Sequence, residues 1–76
     1  MKTVLVILTD GFEEIEAVAP IDLLRRAGAE VTLASRANSL QITGKCGMTL
    51  KAETALDDCL DHDYDLLVLP GGPGVA

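Results

Sequence analysis

Three short apolar runs, at residues 4–8, 31–34 and 66–69, constrain the fold of this chain more than any other feature of its sequence. Each run is continuous rather than alternating, and the first is rich in β-branched side chains. Continuous runs of this length are typical of strands that are buried on both faces of a parallel sheet. The chain is therefore expected to build a mainly parallel sheet.

The stretch between the first two runs predicts a helix over residues 13–27. Acidic residues crowd its first turn and two arginines occupy its last turn, where each charge complements the helix dipole. Gly28 then supplies a stop signal. Strand, helix and strand in this order form a βαβ unit, which places the chain in the α/β class. The predicted apolar stripe of the helix consists of Ile15, Val18, Ile21 and Leu24, widened by Ala19 and Leu23.

The sequence between the second and third runs is less regular. Apolar and β-branched residues flank the segment 44–47, which contains two glycines, so a small hairpin is predicted there. Thr54 is predicted to cap a short helix that continues to about Cys59, with Asp57 at the third helical position.

Composition and charge exclude several classes of function. The chain of 76 residues has a net charge of −6, which argues against nucleic acid or an anionic membrane as a partner. The first apolar run is too short to span a membrane, and an acid-rich stretch follows it instead of a signal-peptide cleavage site. Two cysteines are too few for a disulfide framework. We therefore expect a cytoplasmic protein with reduced thiols.

The acidic segment 10–16 lies between the end of the first predicted strand and the helix. In open α/β sheets, ligands bind outside the carboxyl ends of the strands, so this segment is a candidate site. A simpler interpretation is that the acids complement the helix dipole and face water. Glu13 and Glu16 share one helix face whereas Glu14 points elsewhere, so at most two of the three can face one pocket.

A second candidate is the turn at residues 69–74, where Gly71 and Gly72 follow the third strand. Backbone amides without side-chain cover can bind a developing oxyanion or a carboxylate. The alternative is a tight turn that needs positive φ. The turn lacks the Gly-Lys-Ser/Thr end of a phosphate-binding P-loop and does not fit the dinucleotide fingerprint.

The remaining chemistry-bearing residues favour structural interpretations. Cys46 follows one lysine that would favour its thiolate, and Cys59 lies among acids that would disfavour it; either thiol is more simply structural than reactive. The acids of segment 61–65 imitate a calcium loop, but glycine is missing at its sixth position and glutamate at its twelfth. His62 is the only histidine, so no metal site is expected.

Taken together, these segments resemble the ThiJ/PfpI superfamily, and in particular its protein-deglycase branch. The resemblance extends over essentially the whole chain, and its most specific motifs are Gly-x-Glu-Glu-x-Glu and Leu-Pro-Gly-Gly. The matching segments, in family order, are residues 4–8, 11–16, 20–28 and 64–72.

The resemblance implies a flavodoxin-like, doubly wound fold and a homodimer. We expect residues 1–76 to be the amino-terminal part of one such domain, incomplete in this chain, with the nucleophile elbow further along the polypeptide. In the family, a glutamate of the first helix flanks the reactive cysteine, and Glu16 matches it; Gly71 and Gly72 match backbone that lines the same pocket. Because adjacent negative charges repel, Glu16 is expected to be protonated beside a thiolate and to stabilise a sulfinate by hydrogen bonding.

The leading functional hypothesis is glyoxalase or deglycase chemistry on α-oxoaldehydes or their adducts on proteins, without metal, nucleotide or other cofactor. In this hypothesis Glu16 acts as acid/base and thiol tuner, and the nucleophile comes from outside the chain. One alternative is a non-enzymatic stress protein that senses oxidation or acts as a chaperone. Another is a relative of peptidases or amidotransferases. Expected partners are a small carbonyl compound or a glycated protein, and a second copy or the remaining part of the domain.

Overall fold

The computed structural model describes residues 2–71 of the chain. In that range no helix has the length and apolar character needed to cross a membrane. The elements, in chain order, are β1 (Thr3–Leu8), α1 (Glu14–Arg26), β2 (Glu30–Ser35), β3 (Gln41–Thr43), β4 (Thr49–Lys51), β5 (Thr54–Ala55), a 3-10 turn (Leu56–Asp58) and β6 (Leu66–Val68).

Four of these strands form a parallel sheet in the order β5-β2-β1-β6. β1 lies between β2 and β6, so that Val4 is paired with Val31 on one side and with Leu66 on the other. The predicted α/β class with a mainly parallel sheet is confirmed. Because parallel strands end at the same edge of a sheet, the segments that follow β1 and β6 are brought to one place.

Helix α1 agrees with its predicted range to within one residue at each end, and Gly28, with φ of 92°, follows its last turn. The predicted apolar stripe is wrong for Ile15, Val18, Ala19 and Leu23, which are exposed, and right for Ile21 and for the half-buried Leu24. Ile15 is 77% exposed and Val18 is 39% exposed, whereas Ala17 and Ile21 are buried in the core. The buried face starts one residue earlier than the stripe, at Glu14, because that carboxylate is held by the hairpin described next.

The predicted hairpin is confirmed by the antiparallel pairing of β3 with β4, in which Ile42 is opposite Leu50. Its inner side chain, Ile42, is fully buried in the core. The last residue of β3 is attached to the loop between β1 and α1 by two hydrogen bonds: Gly11 N donates to Thr43 O at 2.9 Å, and Thr43 N donates to Asp10 Oδ1 at 3.0 Å. The turn of the hairpin is thereby placed beside the start of α1.

The helix predicted after Thr54 is wrong. Thr54 and Ala55 form the short strand β5, which pairs with the last two residues of β2. The Thr54 hydroxyl donates to Ala55 O at 3.1 Å and caps nothing, and only the 3-10 turn Leu56–Asp58 follows. The backbone groups that a helix would have used are instead hydrogen-bonded to the edge of the sheet. The local sequence does not reveal this pairing.

The side chains of β1 alternate between two apolar clusters, one on each face of the sheet. Val4, Val6 and Leu8 belong to the larger cluster, whereas Leu5 belongs to a smaller one with Cys59. The prediction that the first strand is buried on both faces is therefore confirmed. In the edge strand β6 the leucines are much more exposed, at 47% for Leu66 and 56% for Leu67.

The start of β6 is attached to the start of β1 through a single aspartate. Asp65 Oδ2 accepts hydrogen bonds from Thr3 N at 2.7 Å and from Thr3 Oγ1 at 3.2 Å, and Asp65 N donates to Thr3 O at 2.9 Å. The hydrogen bonds from Thr3 hold the pKa of Asp65 below its usual range. The interpretation of segment 61–65 as a solvated turn fits Asp61, His62, Asp63 and Asp65, which are exposed; Asp65 in addition accepts hydrogen bonds from Thr3.

Candidate functional site

The acidic segment and the glycine turn meet at the carboxyl edge of the sheet. β1 ends at Leu8, and the loop that follows turns at Gly11, with φ of 86°, before α1 begins at Glu14. On the neighbouring strand, β6 ends at Val68 and the chain continues into Gly71. Pairing of β1 with β6 thus places the first turn of α1 beside the residues that follow β6.

Glu16 and Gly71 are joined directly. Gly71 N donates a hydrogen bond of 2.7 Å to Glu16 Oε1. No hydrogen bond from the described residues engages Oε2 of the same carboxyl group, and the Glu16 side chain is exposed. The structure therefore places one carboxyl oxygen on the turn and leaves the other open to a further donor.

A second hydrogen bond holds the same glycine from its carbonyl side. Glu13 N donates to Gly71 O at 2.6 Å, so both backbone groups of Gly71 are engaged with the start of α1. A Cβ atom at Gly71 would overlap Glu16 Oε1, which explains the need for glycine. The oxyanion role predicted for Gly71 remains a prediction; in this structure the Gly71 N–H donates to Glu16 instead. Gly72, predicted for the same role, lies outside the described residues.

Glu13 also connects the turn to the hairpin. Lys45 Nζ lies 3.1 Å from Glu13 Oε1, and Lys45 N donates to Phe12 O at 2.8 Å. The hydrogen bond and the negative charge of Glu13 hold the pKa of Lys45 above its usual range. The hairpin thus contributes one positive charge close to the turn.

Glu14 is buried, with only 9% of the residue exposed. Its Oε2 atom accepts hydrogen bonds from Cys46 N at 2.7 Å and from Met48 N at 3.2 Å. Burial raises the pKa of Glu14, but hydrogen bonds from its own backbone N–H, from Met48 and from Cys46 outweigh burial and hold that pKa below its usual range. A Cβ atom at Gly44 would overlap the same carboxylate, so the hairpin turn closes tightly around it.

Each glutamate of the first turn therefore holds a different partner: Glu13 pairs with Lys45, Glu14 holds the hairpin backbone and Glu16 holds Gly71. The expectation that the three glutamates cannot all face one pocket is confirmed, but the grouping of Glu13 with Glu16 is wrong, because Glu13 and Glu14 both contact the hairpin turn. The interpretation that all these acids simply face water is wrong. No local signal identifies Glu14 as a buried residue, because its partners lie 32 and 34 residues away in the sequence.

The two thiols lie in different surroundings. Cys46 is exposed in the hairpin turn. Cys59 is 4% exposed and its Sγ donates to Leu56 O at 3.3 Å, in agreement with a structural role. Within residues 2–71, no three His, Cys, Asp or Glu side chains converge in a group that could hold a metal ion.

Comparison with known proteins gives consistent matches over nearly the whole chain. The DJ-1/PfpI family matches residues 2–76. DJ-1 homolog B of Arabidopsis thaliana is 48% identical over 73 residues, which are 96% of this chain and 17% of that protein. A deglycase of Thermococcus kodakarensis is 41% identical over 69 residues, which are 91% of this chain and 41% of that protein. A candidate cysteine protease of Bacillus subtilis is 35% identical over 71 residues, which are 93% of this chain and 42% of that protein.

Solved structures give the same result for the fold. The oxidised form of DJ-1 from Toxoplasma gondii superposes with a TM-score of 0.95 at 41% identity, covering 97% of this chain and 41% of that one. DJ-1beta of Drosophila melanogaster superposes with a TM-score of 0.90 at 36% identity, covering 95% of this chain and 39% of that one. The predicted flavodoxin-like fold is confirmed. The chain spans less than half the length of these relatives.

Proposed function

Because this chain belongs to the DJ-1/PfpI family, we propose that it supplies the carboxyl side of a cysteine-dependent site in the whole protein. The reaction proposed is glyoxalase- or deglycase-type chemistry on α-oxoaldehydes or on their adducts with proteins. Support comes from relatives named as deglycases, one from Thermococcus kodakarensis at 41% identity and one from Pyrococcus abyssi at 39% identity.

The observation that carries this proposal is the hydrogen bond from Gly71 N to Glu16 Oε1. A carboxyl group on a helix surface normally samples several rotamers, and this bond restricts Glu16 to one that lies over the carboxyl edge of the sheet. Its second oxygen remains available for a thiol that approaches the same edge. The restricted position is what an acid/base group needs, since proton transfer requires hydrogen-bond distance to the reacting atoms.

In the proposed reaction, a thiolate from another part of the protein attacks the aldehyde carbon of the substrate. A bond forms between sulfur and carbon, the carbonyl electron pair moves to oxygen, and Glu16 donates the proton that this oxygen requires. Glu16, now ionised, can then accept the proton that must leave carbon in the next step. Return of a proton to the neighbouring carbon leaves a thioester, which water hydrolyses to the hydroxy acid and the free thiol, so that a single carboxyl group serves the proton transfers without a metal or cofactor.

The test compares turnover of methylglyoxal by the whole protein with turnover by its Glu16→Gln variant. Loss of general acid/base catalysis is expected to lower kcat by about 10²- to 10⁴-fold. The matched control is Glu30→Gln, the same substitution at an exposed glutamate in the first position of β2, at the opposite edge of the sheet. Equal rates for the wild type and Glu16→Gln would contradict the proposal.

Two alternatives use the same carboxyl group differently. An oxidation sensor is favoured by the relative from Toxoplasma gondii, whose solved form is oxidised. In that case mild peroxide would convert the reactive cysteine to a sulfinate while methylglyoxal turnover stayed absent. A peptidase is favoured by the candidate cysteine protease of Bacillus subtilis, and peptide hydrolysis by the whole protein would identify it.

A homodimer is also proposed, and the exposed apolar side of α1 is the surface proposed to form it. Ile15 is 77% exposed, Val18 is 39% exposed and Met48 of the neighbouring hairpin is 55% exposed. These side chains line one shallow groove, and the acidic residue Asp22 also lines it. Covering such side chains with a second copy would remove apolar surface from water.

A cytoplasmic location is also proposed, as expected from the thiols and the charge.

A further inference from the structure

Strand pairing covers only part of the outer edge of β2. β5 pairs with the last two residues of this strand, and a hydrogen bond from Glu53 N to Leu33 O at 2.8 Å extends the pairing by one residue. The preceding residues Thr49–Lys51 form β4, which pairs with β3 in a separate sheet. In the described part of the chain, no strand therefore lies beside residues 31–33 on this side.

Two side chains occupy the place of the missing strand. Leu33 N donates to Glu53 Oε1 at 2.9 Å, where a neighbouring strand would offer a carbonyl oxygen. Arg25, in the last turn of α1, donates from Nη2 to Val31 O at 3.1 Å, where a neighbouring strand would offer an N–H. The two side chains also contact each other, since Arg25 Nη2 lies 3.4 Å from Glu53 Oε1. A carboxylate and a guanidinium thus replace one acceptor and one donor of a strand.

The stability of the fold alone does not explain these contacts. Both side chains are half exposed, and an ion pair in such surroundings contributes little to the free energy of folding. The backbone groups that they cover matter more, because an edge strand with free N–H and C=O groups is a template for pairing with another chain. The side chains of Val31 and Leu33 are buried in the core, so this part of β2 stays extended and in register when the covering groups leave.

We propose that Arg25 and Glu53 form an edge clasp, which keeps residues 31–33 of β2 closed to strand addition by a second copy of this chain. The covered groups are one donor, Leu33 N, and one acceptor, Val31 O, two residues apart in one strand. Two antiparallel copies of β2 related by a twofold axis would bind Leu33 N of each copy to Val31 O of the other. This self-complementarity makes a second copy the occupant that fits the edge. The inference is independent of the carboxyl edge of the sheet and of the helix surface proposed for the homodimer, and it goes beyond the proposed function.

The experiment removes each half of the edge clasp in the whole protein, with the variants Glu53→Ala and Arg25→Ala. Hydrogen exchange of the Leu33 amide, followed by NMR in dilute solution, should become about tenfold faster in Glu53→Ala, the effect of one lost hydrogen bond. Light scattering at rising concentration should give each variant a mass of about twice the wild-type value. A mass equal to that of the wild type at every concentration, in both variants, would overturn the proposal.

Matched variants separate the edge clasp from a simple change of charge. Glu53→Gln retains a side-chain oxygen that can accept from Leu33 N, so it should keep the wild-type mass. Arg26→Ala removes the neighbouring ion pair with Asp22, which joins two residues of the same helix, and it should also keep the wild-type mass. Association of Arg26→Ala equal to that of Arg25→Ala would contradict the proposal.

A second amide separates strand addition from general loosening of the fold. Val6 is fully buried in the central strand β1, so its amide reports on the stability of the whole sheet. In Glu53→Ala this amide should exchange as slowly as in the wild type. Faster exchange at Val6 as well as at Leu33 would mean that the fold as a whole has loosened, and the proposal would be wrong.

Discussion

Glu16 Oε1 accepts a 2.7 Å hydrogen bond from the backbone N–H of Gly71, a residue 55 positions further along the chain. The bond joins the first turn of α1 to the segment that follows β6, across the carboxyl edge of the sheet. Because Glu13 N also binds Gly71 O, the turn is held from both sides. The position of one carboxyl group is therefore determined by tertiary structure and not by the helix alone.

Substitution of Gly71 by alanine should displace Glu16. The added Cβ would overlap Glu16 Oε1, so either the carboxyl group or the turn must move. If the proposed function is correct, methylglyoxal turnover by the whole protein should fall about a hundredfold, since small displacements of a catalytic group cost this much. Turnover measured as kcat/KM checks the prediction.

The control for Gly71→Ala is Gly44→Ala, which is matched in size and in the kind of clash. A Cβ at Gly44 would overlap the Glu14 carboxylate instead of Glu16. This variant should lower stability and disturb the hairpin while it retains most of the turnover. If Gly71→Ala and Gly44→Ala lost turnover equally, the effect would be general loosening of the fold and the specific contact would be excluded.

The hydrogen bonds between Thr3 and Asp65 predict a loss of stability in acid. Since they hold the pKa of Asp65 below its usual range, the folded protein binds this proton less strongly than the unfolded chain does. The contribution is complete above the unfolded-state value of 3.8 and is lost as pH falls through the lower folded-state pKa. The measurement is the free energy of unfolding of the wild type and of Asp65→Asn, obtained by denaturation at pH 6 and at pH 3.

The variant Asp65→Asn should be less stable than the wild type at pH 6, and the difference should shrink at pH 3. Asp57→Asn, which changes an exposed aspartate of the 3-10 turn, serves as the control and should follow the wild type at both pH values. A difference between wild type and Asp65→Asn that stayed constant from pH 6 to pH 3 would contradict the electrostatic explanation.

Among the core positions near the site, Phe12 should be the one whose replacement lowers the free energy of unfolding most. It lies in the loop between β1 and α1 with its side chain fully buried, and its carbonyl oxygen accepts a hydrogen bond from Lys45 N. Replacement by alanine should cost about 3–5 kcal/mol of unfolding free energy, as for other buried aromatic side chains. Leu60→Ala, at a side chain that is 64% exposed, should cost less than about 0.5 kcal/mol. Urea denaturation of the whole protein measures both, and similar losses would place Phe12 outside the core.

The proposed dimer surface predicts a separate effect of Ile15→Glu. A carboxylate in place of this exposed isoleucine would be buried without a partner in a dimer that covers the groove. Light scattering at several concentrations should show a monomer or a much weaker dimer. Leu23→Glu, on the same helix at a side chain that is 64% exposed, should leave the oligomeric state unchanged. A dimer that survives Ile15→Glu would exclude this surface.

The sequence predicts the elements whose signal is local. The apolar run of β1, the charge pattern and stop signal of α1 and the glycines of the hairpin turn each determine their own segment. The proximity of Glu16 to Gly71 follows from two rules: a helix follows β1, and parallel strands end at a shared edge of the sheet. These rules hold here because β6 pairs directly with β1.

Features that depend on distant partners could not be predicted. Thr54 joins the sheet because the end of β2 offers unpaired backbone groups, whereas its own sequence favours a helix cap. Ile15 is exposed because Glu14 is the residue that turns inward to bind the amides of Cys46 and Met48. Periodicity alone cannot weigh hydrogen bonds to a hairpin against the burial of one isoleucine.

A high-resolution crystal structure of the whole protein tests the central claim most directly, through the distances from the two carboxyl oxygens of Glu16 to their nearest partners. One oxygen should remain within hydrogen-bond distance of Gly71 N, and the other should contact the sulfur of a cysteine. A Glu16 side chain that is directed into solvent, with no sulfur beside it, would contradict the claim.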